Sequence, residues 1–163
     1  MLTAATLHAQ TKAHEHGAMK VNVAIEGAKL SIDVEMPLDN LVGFERAPRT
    51  DAERKSAAAA LARMRTGAEL FKPNAEAQCT SASATVEAPV LEPGAKAAPA
   101  SDHADLDATY VFQCAQPAQL ATLDVSIFDA FKRVKRINVQ VAGPKGQSKV
   151  VLRPPARQVQ LAK

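Results

Sequence analysis

Cys79 and Cys114 are the only cysteines in the chain, and the residues around them restrict its folding more than any other feature. Ahead of Cys114, Leu106, Ala108, Tyr110 and Phe112 alternate with Asp107, Thr109 and Gln113, the period-two pattern of a strand with one buried face. Cys79 opens CTSASATVEAPVLE, the expected partner strand, although small residues blur its alternation. If the two strands pair antiparallel around a loop near 92–104, the cysteines fall opposite one another, which is the register a disulfide needs. The same register sets Val86 near Asp107 and Val90 near His103. Closing a loop of about 36 residues removes unfolded-chain entropy worth roughly 3–4 kcal/mol, a large part of a small domain's net stability. Zinc ligation is the other use of two thiols, but zinc cysteines usually come as closely spaced CxxC pairs. The stretch therefore reads as a stapled hairpin made for an oxidising compartment.

The rest of the chain supplies strands and one helix. Met19, Val21, Val23 and Ile25, then Leu30, Ile32, Val34 and Met36, alternate with polar residues on either side of Gly27. This predicts a β-hairpin with a solvated face, ended by Pro37. Thr50 and Glu53 form a capping box ahead of an alanine-rich helix expected near 51–66, with Leu61 and Met64 as its thin apolar stripe and Gly67 as its stop. Leu70 and Phe71 anchor the return to Cys79. Further short strands are expected at Leu123–Ile127, Ile137–Val141, Val150–Leu152 and Val159–Leu161, with Phe128 and Phe131 in a turn or one-turn helix. The expected class is α+β: about eight mainly antiparallel strands with one long helix. A β-sandwich carrying one covering helix is the competing description.

At 163 residues, the chain reads as a single domain over 14–163, preceded by 13 residues that are either disordered or the remnant of a signal peptide. The start, MLTAATLHA, lacks a basic segment and a full apolar core but has the small residues of a cleavage end. Net charge is +3, with one Tyr, five Phe and no Trp. Basic residues spread without aromatic partners do not make a nucleic-acid surface, and no apolar run reaches the ~18 residues a membrane span needs.

Several segments resemble one family. HEHGAMKVNVAIEG, PLDNLVGFERAPRTDAERK, LFKPNAEAQC, YVFQC and SIFDAFKRVKRINVQV are similar to the ZrgA-like family of bacterial periplasmic proteins linked to zinc uptake. The likeness covers nearly the whole chain, and GFERAP and the cysteine spacing are its most specific parts. It implies a secreted, non-enzymatic zinc-binding protein that works beside a zinc import system, with zinc and a transporter component as partners. Family members often carry a long segment rich in His, Asp and Glu between the two cysteine strands. Here that loop is EPGAKAAPASDHAD, which keeps only His103, flanked by Asp102 and Asp105.

The candidate zinc ligands follow from that chemistry, since imidazole and carboxylate form an ordinary zinc set. If the first strand extends through Gly17, His14 and His16 lie on one face with Cα atoms roughly 7 Å apart; the bland alternative is a solvated terminus. Asp102, His103 and Asp105 offer a second partial set, or else a polar loop tip. In GFERAP, Gly43 is expected to allow a turn, Phe44 to plug the core, and Glu45 or Arg46 to brace the loop. No nucleophile elbow, phosphate-binding glycine loop or HExxH pair is present, so no enzyme is expected. The functional expectation is a periplasmic protein that buffers or delivers zinc; the alternative is a metal-independent interaction module of the cell envelope.

Overall fold

The computed structural model describes residues 15–95 and 104–161. The first hairpin forms as its alternation requires: β1 (Ala18–Glu26) and β2 (Lys29–Pro37) pair antiparallel from Lys20↔Glu35 to Glu26↔Lys29. The turn between them carries Gly27 at φ 59°, in the left-handed region that glycine enters without steric cost. The cysteine strands, β4 (Cys79–Glu87) and β5 (Asp105–Cys114), add to the free side of β2. On the other side of β1 lie β7 (Arg136–Gly143) and β8 (Gly146–Leu152), giving a six-stranded sheet in the order β4-β5-β2-β1-β7-β8. β1 and β7 run parallel, a departure from the consecutive antiparallel pattern expected. A period-two pattern tells which face is buried but not which way a strand runs.

One face of this sheet is the core. Met19, Val21 and Val23, then Leu30, Ile32 and Met36, then Leu106, Ala108, Tyr110, Phe112 and Cys114 are all buried. Over them lies a second, three-stranded antiparallel sheet of β3 (Phe71–Pro73), β6 (Thr122–Val125) and β9 (Gln158–Gln160). Phe71 brings the layers into contact, its ring centroid 5.2 Å from that of Tyr110. The described residues thus hold nine strands in two sheets, an α+β arrangement, where about eight strands were expected. The additional one is β3, too short to show alternation. The expected strand at Leu123–Ile127 ends at Val125, and Ile127 instead opens the one-turn helix α4 (Ile127–Ala130).

Cys79 and Cys114 are Cα partners joined by a disulfide. The register expected beyond them is off by one. The ladder holds to Ser81↔Phe112, then shifts at Ala82 so that Val86 faces Ala108 rather than Asp107. A β-bulge adds one residue to one strand, and in the run Thr80 to Thr85 every side chain is small, so nothing in the pattern resists the shift. Val90 leaves the ladder altogether in a 3-10 turn, Pro89–Leu91; His103 lies outside the described residues.

Two short helices, α1 (Leu38–Val42) and α3 (Gly67–Leu70), flank the long α2 (Asp51–Arg65). The Thr50–Glu53 capping box is present, and Ala57, Leu61 and Met64 face the core. Gly67 does not end α2 as a left-handed cap: Thr66 is the cap residue, and Gly67 opens α3 without a positive φ. Its lack of a side chain serves packing instead. The Tyr110 ring lies against its Cα, and the Tyr110 hydroxyl donates a 2.7 Å hydrogen bond to the Met64 carbonyl. Burial pushes that hydroxyl well above the usual phenol range, so it remains a donor at any physiological pH.

Candidate functional site

The α1 turn fixes the end of the sheet where His16 and Asp105 lie. Pro37 precedes its first residue, Gly43 closes it at φ 87°, and the Gly43 N–H donates to the Asp39 carbonyl at 2.9 Å. Within this turn Asn40 is the one buried polar side chain among the described residues, 1% exposed. Its Oδ1 accepts from the Gly17 N–H at 2.6 Å and its Nδ2 donates to the Ala18 carbonyl at 2.7 Å. A buried amide satisfied at both ends is a strong positional restraint. From the opposite side the Gly17 carbonyl accepts from the backbone N–H groups of Lys135 and Arg136, at 2.8 and 3.0 Å, and Arg136 forms an ion pair with Glu15. The backbone immediately after His16 is therefore held by α1 and by the start of β7.

His16 itself is two-thirds exposed. Its Nε2 lies 3.3 Å from Glu45 Oε1 and its Nδ1 lies 3.8 Å from Asp39 Oδ2. These carboxylates reach it because α1 and the chain just after Gly43 lie beside the start of β1. The strand geometry expected for His14 and His16 does not hold at this point. β1 begins only at Ala18, Gly17 has φ 81°, and the Ala18 N–H donates to the Glu15 carbonyl in a turn, so alternation cannot be extrapolated back to His16. His14 lies outside the described residues. Because Asp39 and Glu45 face different nitrogens of one ring, the three groups do not converge on a point. Among the described residues no group of three or more His, Cys, Asp or Glu side chains is gathered to hold a metal.

Asp105, from the second candidate set, lies at the same end of the sheet. Asp105 opens β5 opposite Pro37, and the Leu38 N–H donates to the Ala104 carbonyl at 2.9 Å. Only β2 separates β5 from β1, two strand spacings or roughly 10 Å. Sequence alone gave two unrelated partial sets; α1 holds the chain beside both. Asp102 and His103 lie outside the described residues. The part played by Asn40 was missed, although a short amide in an otherwise apolar turn between Pro37 and Gly43 was the available signal.

GFERAP has a bracing role. Phe44 is half-buried against the core, with the Arg46 guanidinium 4.9 Å above its ring. A Cβ on Gly43 would fall 2.7 Å from Arg133 Nη2, but that is the far end of an exposed, flexible side chain that can move aside, so this glycine is required for its positive φ. Arg46 donates two parallel bonds to Glu53, at 2.9 and 2.7 Å, while Glu53 also accepts from the Arg49 backbone N–H at 2.6 Å. Hydrogen bonds from Arg46 and then Arg49 hold the Glu53 carboxyl at about 2, against an ordinary 4.5. A depressed carboxyl pKa stabilises the fold above the ordinary value and ceases to do so as pH falls through the folded one. Glu53→Gln should therefore lower the melting temperature at neutral pH, with the gap from the native protein narrowing between about pH 4.5 and 2. Thermal melts across that range check this; a pH-independent gap would show that the charge is not what stabilises.

These features define a disulfide-stapled α+β domain with one half-covered sheet and a polar cluster fixed at one end of it. The chain belongs to the ZrgA family of zinc uptake proteins, whose family model matches residues 13–161. Comparison with curated proteins found no match. No described helix is long and apolar enough to cross a membrane.

Proposed function

We propose that the protein is a periplasmic zinc-binding accessory that, without catalysing a reaction, buffers Zn²⁺ or hands it to an import system. The observation that carries this reading is the common anchorage of the two candidate ligand segments by α1: Asn40 holds the backbone next to His16, and Leu38 holds that next to Asp105. His14, His16, Asp102, His103 and Asp105 are the proposed ligands. Zinc takes imidazole and carboxylate together, and a ligating histidine commonly gives its other ring nitrogen to a carboxylate that orients it. Asp39 and Glu45 supply such a carboxylate whichever nitrogen of His16 is used. Membership of a zinc uptake family supports zinc as the cargo, and the disulfide suits the oxidising periplasm.

Titration calorimetry of the tag-free protein at neutral pH should show zinc binding that weakens in acid, where protons compete with the metal for its ligands. Substituting His14, His16 and His103 together by alanine should abolish it. Absence of any heat with sub-millimolar protein would overturn the proposal. Zinc uptake that is undiminished by the triple substitution would point instead to a metal-independent docking role with a transporter component.

A further inference from the structure

We propose that β8 is the contact edge of a symmetric dimer of this chain. Among the described residues Val150 and Val151, 38% and 53% exposed, are the only exposed large hydrophobic side chains. They are consecutive, so they point to opposite faces, and the edge is apolar above and below the sheet. The two edges of the six-stranded sheet differ. On β4 the bulge at Ala82 interrupts the ladder, which discourages a further strand, and the exposed residues from Thr80 to Thr85 are too small to bury much apolar area. β8 has neither, and its register with β7 runs unbroken from Gly143↔Gly146 to Ile137↔Leu152.

The hydrogen-bonding parity of β8 selects how a second copy fits. The closing pair of a two-residue hairpin exchanges both backbone bonds, and in an antiparallel ladder every second pair then does the same. Counting from Gly143↔Gly146, the bonded pairs include Val141↔Ser148 and Val139↔Val150. The N–H and C=O groups of Gln147, Lys149 and Val151 therefore face away from β7. An antiparallel second β8 must match these outward-facing residues with one another. Placing the twofold axis at Lys149 sets two lysines opposite each other, and placing it at Val151 sets Lys149 opposite Arg153 of the second copy. Directly opposed like charges destabilise a ladder. An axis at Ser148 sets Lys149 opposite Gln147 but leaves Val150 opposite Gly146 and Val151 opposite Lys145, with no apolar pair across the seam. With the axis at Val150, Lys149 instead faces Val151 of the second copy on both sides, its aliphatic stem covering that valine. The two Val150 side chains then meet as a close, non-hydrogen-bonded pair.

Pairing along one short edge buries less than a standard interface of about 1,600 Å², so the dimer should be weak, with Kd on the order of 100 μM. Sedimentation velocity on the disulfide-intact chain, from well below to well above that concentration, is expected to show concentration-dependent dimerisation. Val151→Glu would set a carboxylate opposite each Lys149 and should tighten the dimer several-fold, with the gain lost in high salt. Val151→Lys would set cation against cation and should leave a monomer. Both changes fall at a half-exposed position, and circular dichroism checks that the fold is kept. The proposal is overturned if the native chain and Val151→Glu are monomeric throughout, if Val151→Glu weakens association, or if dimers persist unchanged in Val151→Lys.

Discussion

Gly67→Ala should be among the most destabilising single changes in the protein, because the added Cβ would lie 2.2 Å from Cδ1 of the Tyr110 ring. The ring has nowhere to go. Tyr110 is fully buried, its hydroxyl is tied to the Met64 carbonyl at 2.7 Å, and Phe71 packs against it. Relief requires either breaking that hydrogen bond or moving α3 off the sheet. Overpacking a core usually costs about 1–3 kcal/mol, and losing a buried hydrogen bond adds about 1–3 kcal/mol more, so a loss of about 3 kcal/mol is expected. Urea denaturation measures it. Tyr110→Val removes the clashing ring atoms, so Gly67→Ala should cost much less in that background. Equal costs in both backgrounds would mean that the ring is not the obstacle.

Removing the disulfide should have an effect of comparable size. Cys79→Ser together with Cys114→Ser, or reduction of the native bridge, is expected to lower stability by roughly 2–5 kcal/mol. The bridge sits at the end of β5 opposite Asp105, and a ten-residue strand places it roughly 30 Å away from that residue. The zinc binding proposed for the other end should thus survive the substitution, measured under conditions where the double variant is still folded. Two free thiols in the natively purified protein would contradict the staple directly, and loss of zinc binding in a folded double-serine variant would contradict the separation of the two ends.

What could be read from sequence follows from how much each pattern constrains. The hairpin of β1 and β2, the buried face of β5 and the capping box of α2 are written in residues whose burial or hydrogen bonding admits few alternatives. The cysteine pairing was legible because β5 has a strong period-two pattern that fixes where Cys114 must face. The bulge at Ala82 was not, since a run of Thr, Ser and Ala costs little to shift by one residue. Nor was the function of Gly67: a glycine after a helix suggests a cap, and only the tertiary position of Tyr110 shows that the missing side chain makes room. The candidate site was legible as a set of residue types and not as a place. His16 meets Asp39 and Glu45 because α1 turns back beside the start of β1, a contact that no local pattern encodes.

The parallel pairing of β1 with β7 has a consequence for assembly. β1 is an interior strand whose two neighbours come from opposite parts of the chain: β2 follows within a short turn, whereas β7 begins only at Arg136. Contacts so distant in sequence cost loop-closure entropy before they return any stability, which slows folding. Until the segment from Arg136 onward has arrived, β1 is an edge with Met19, Val21 and Val23 only partly covered, and its unpaired backbone is open to other chains. A chain that ends before β7 would therefore be a good substrate for a chaperone.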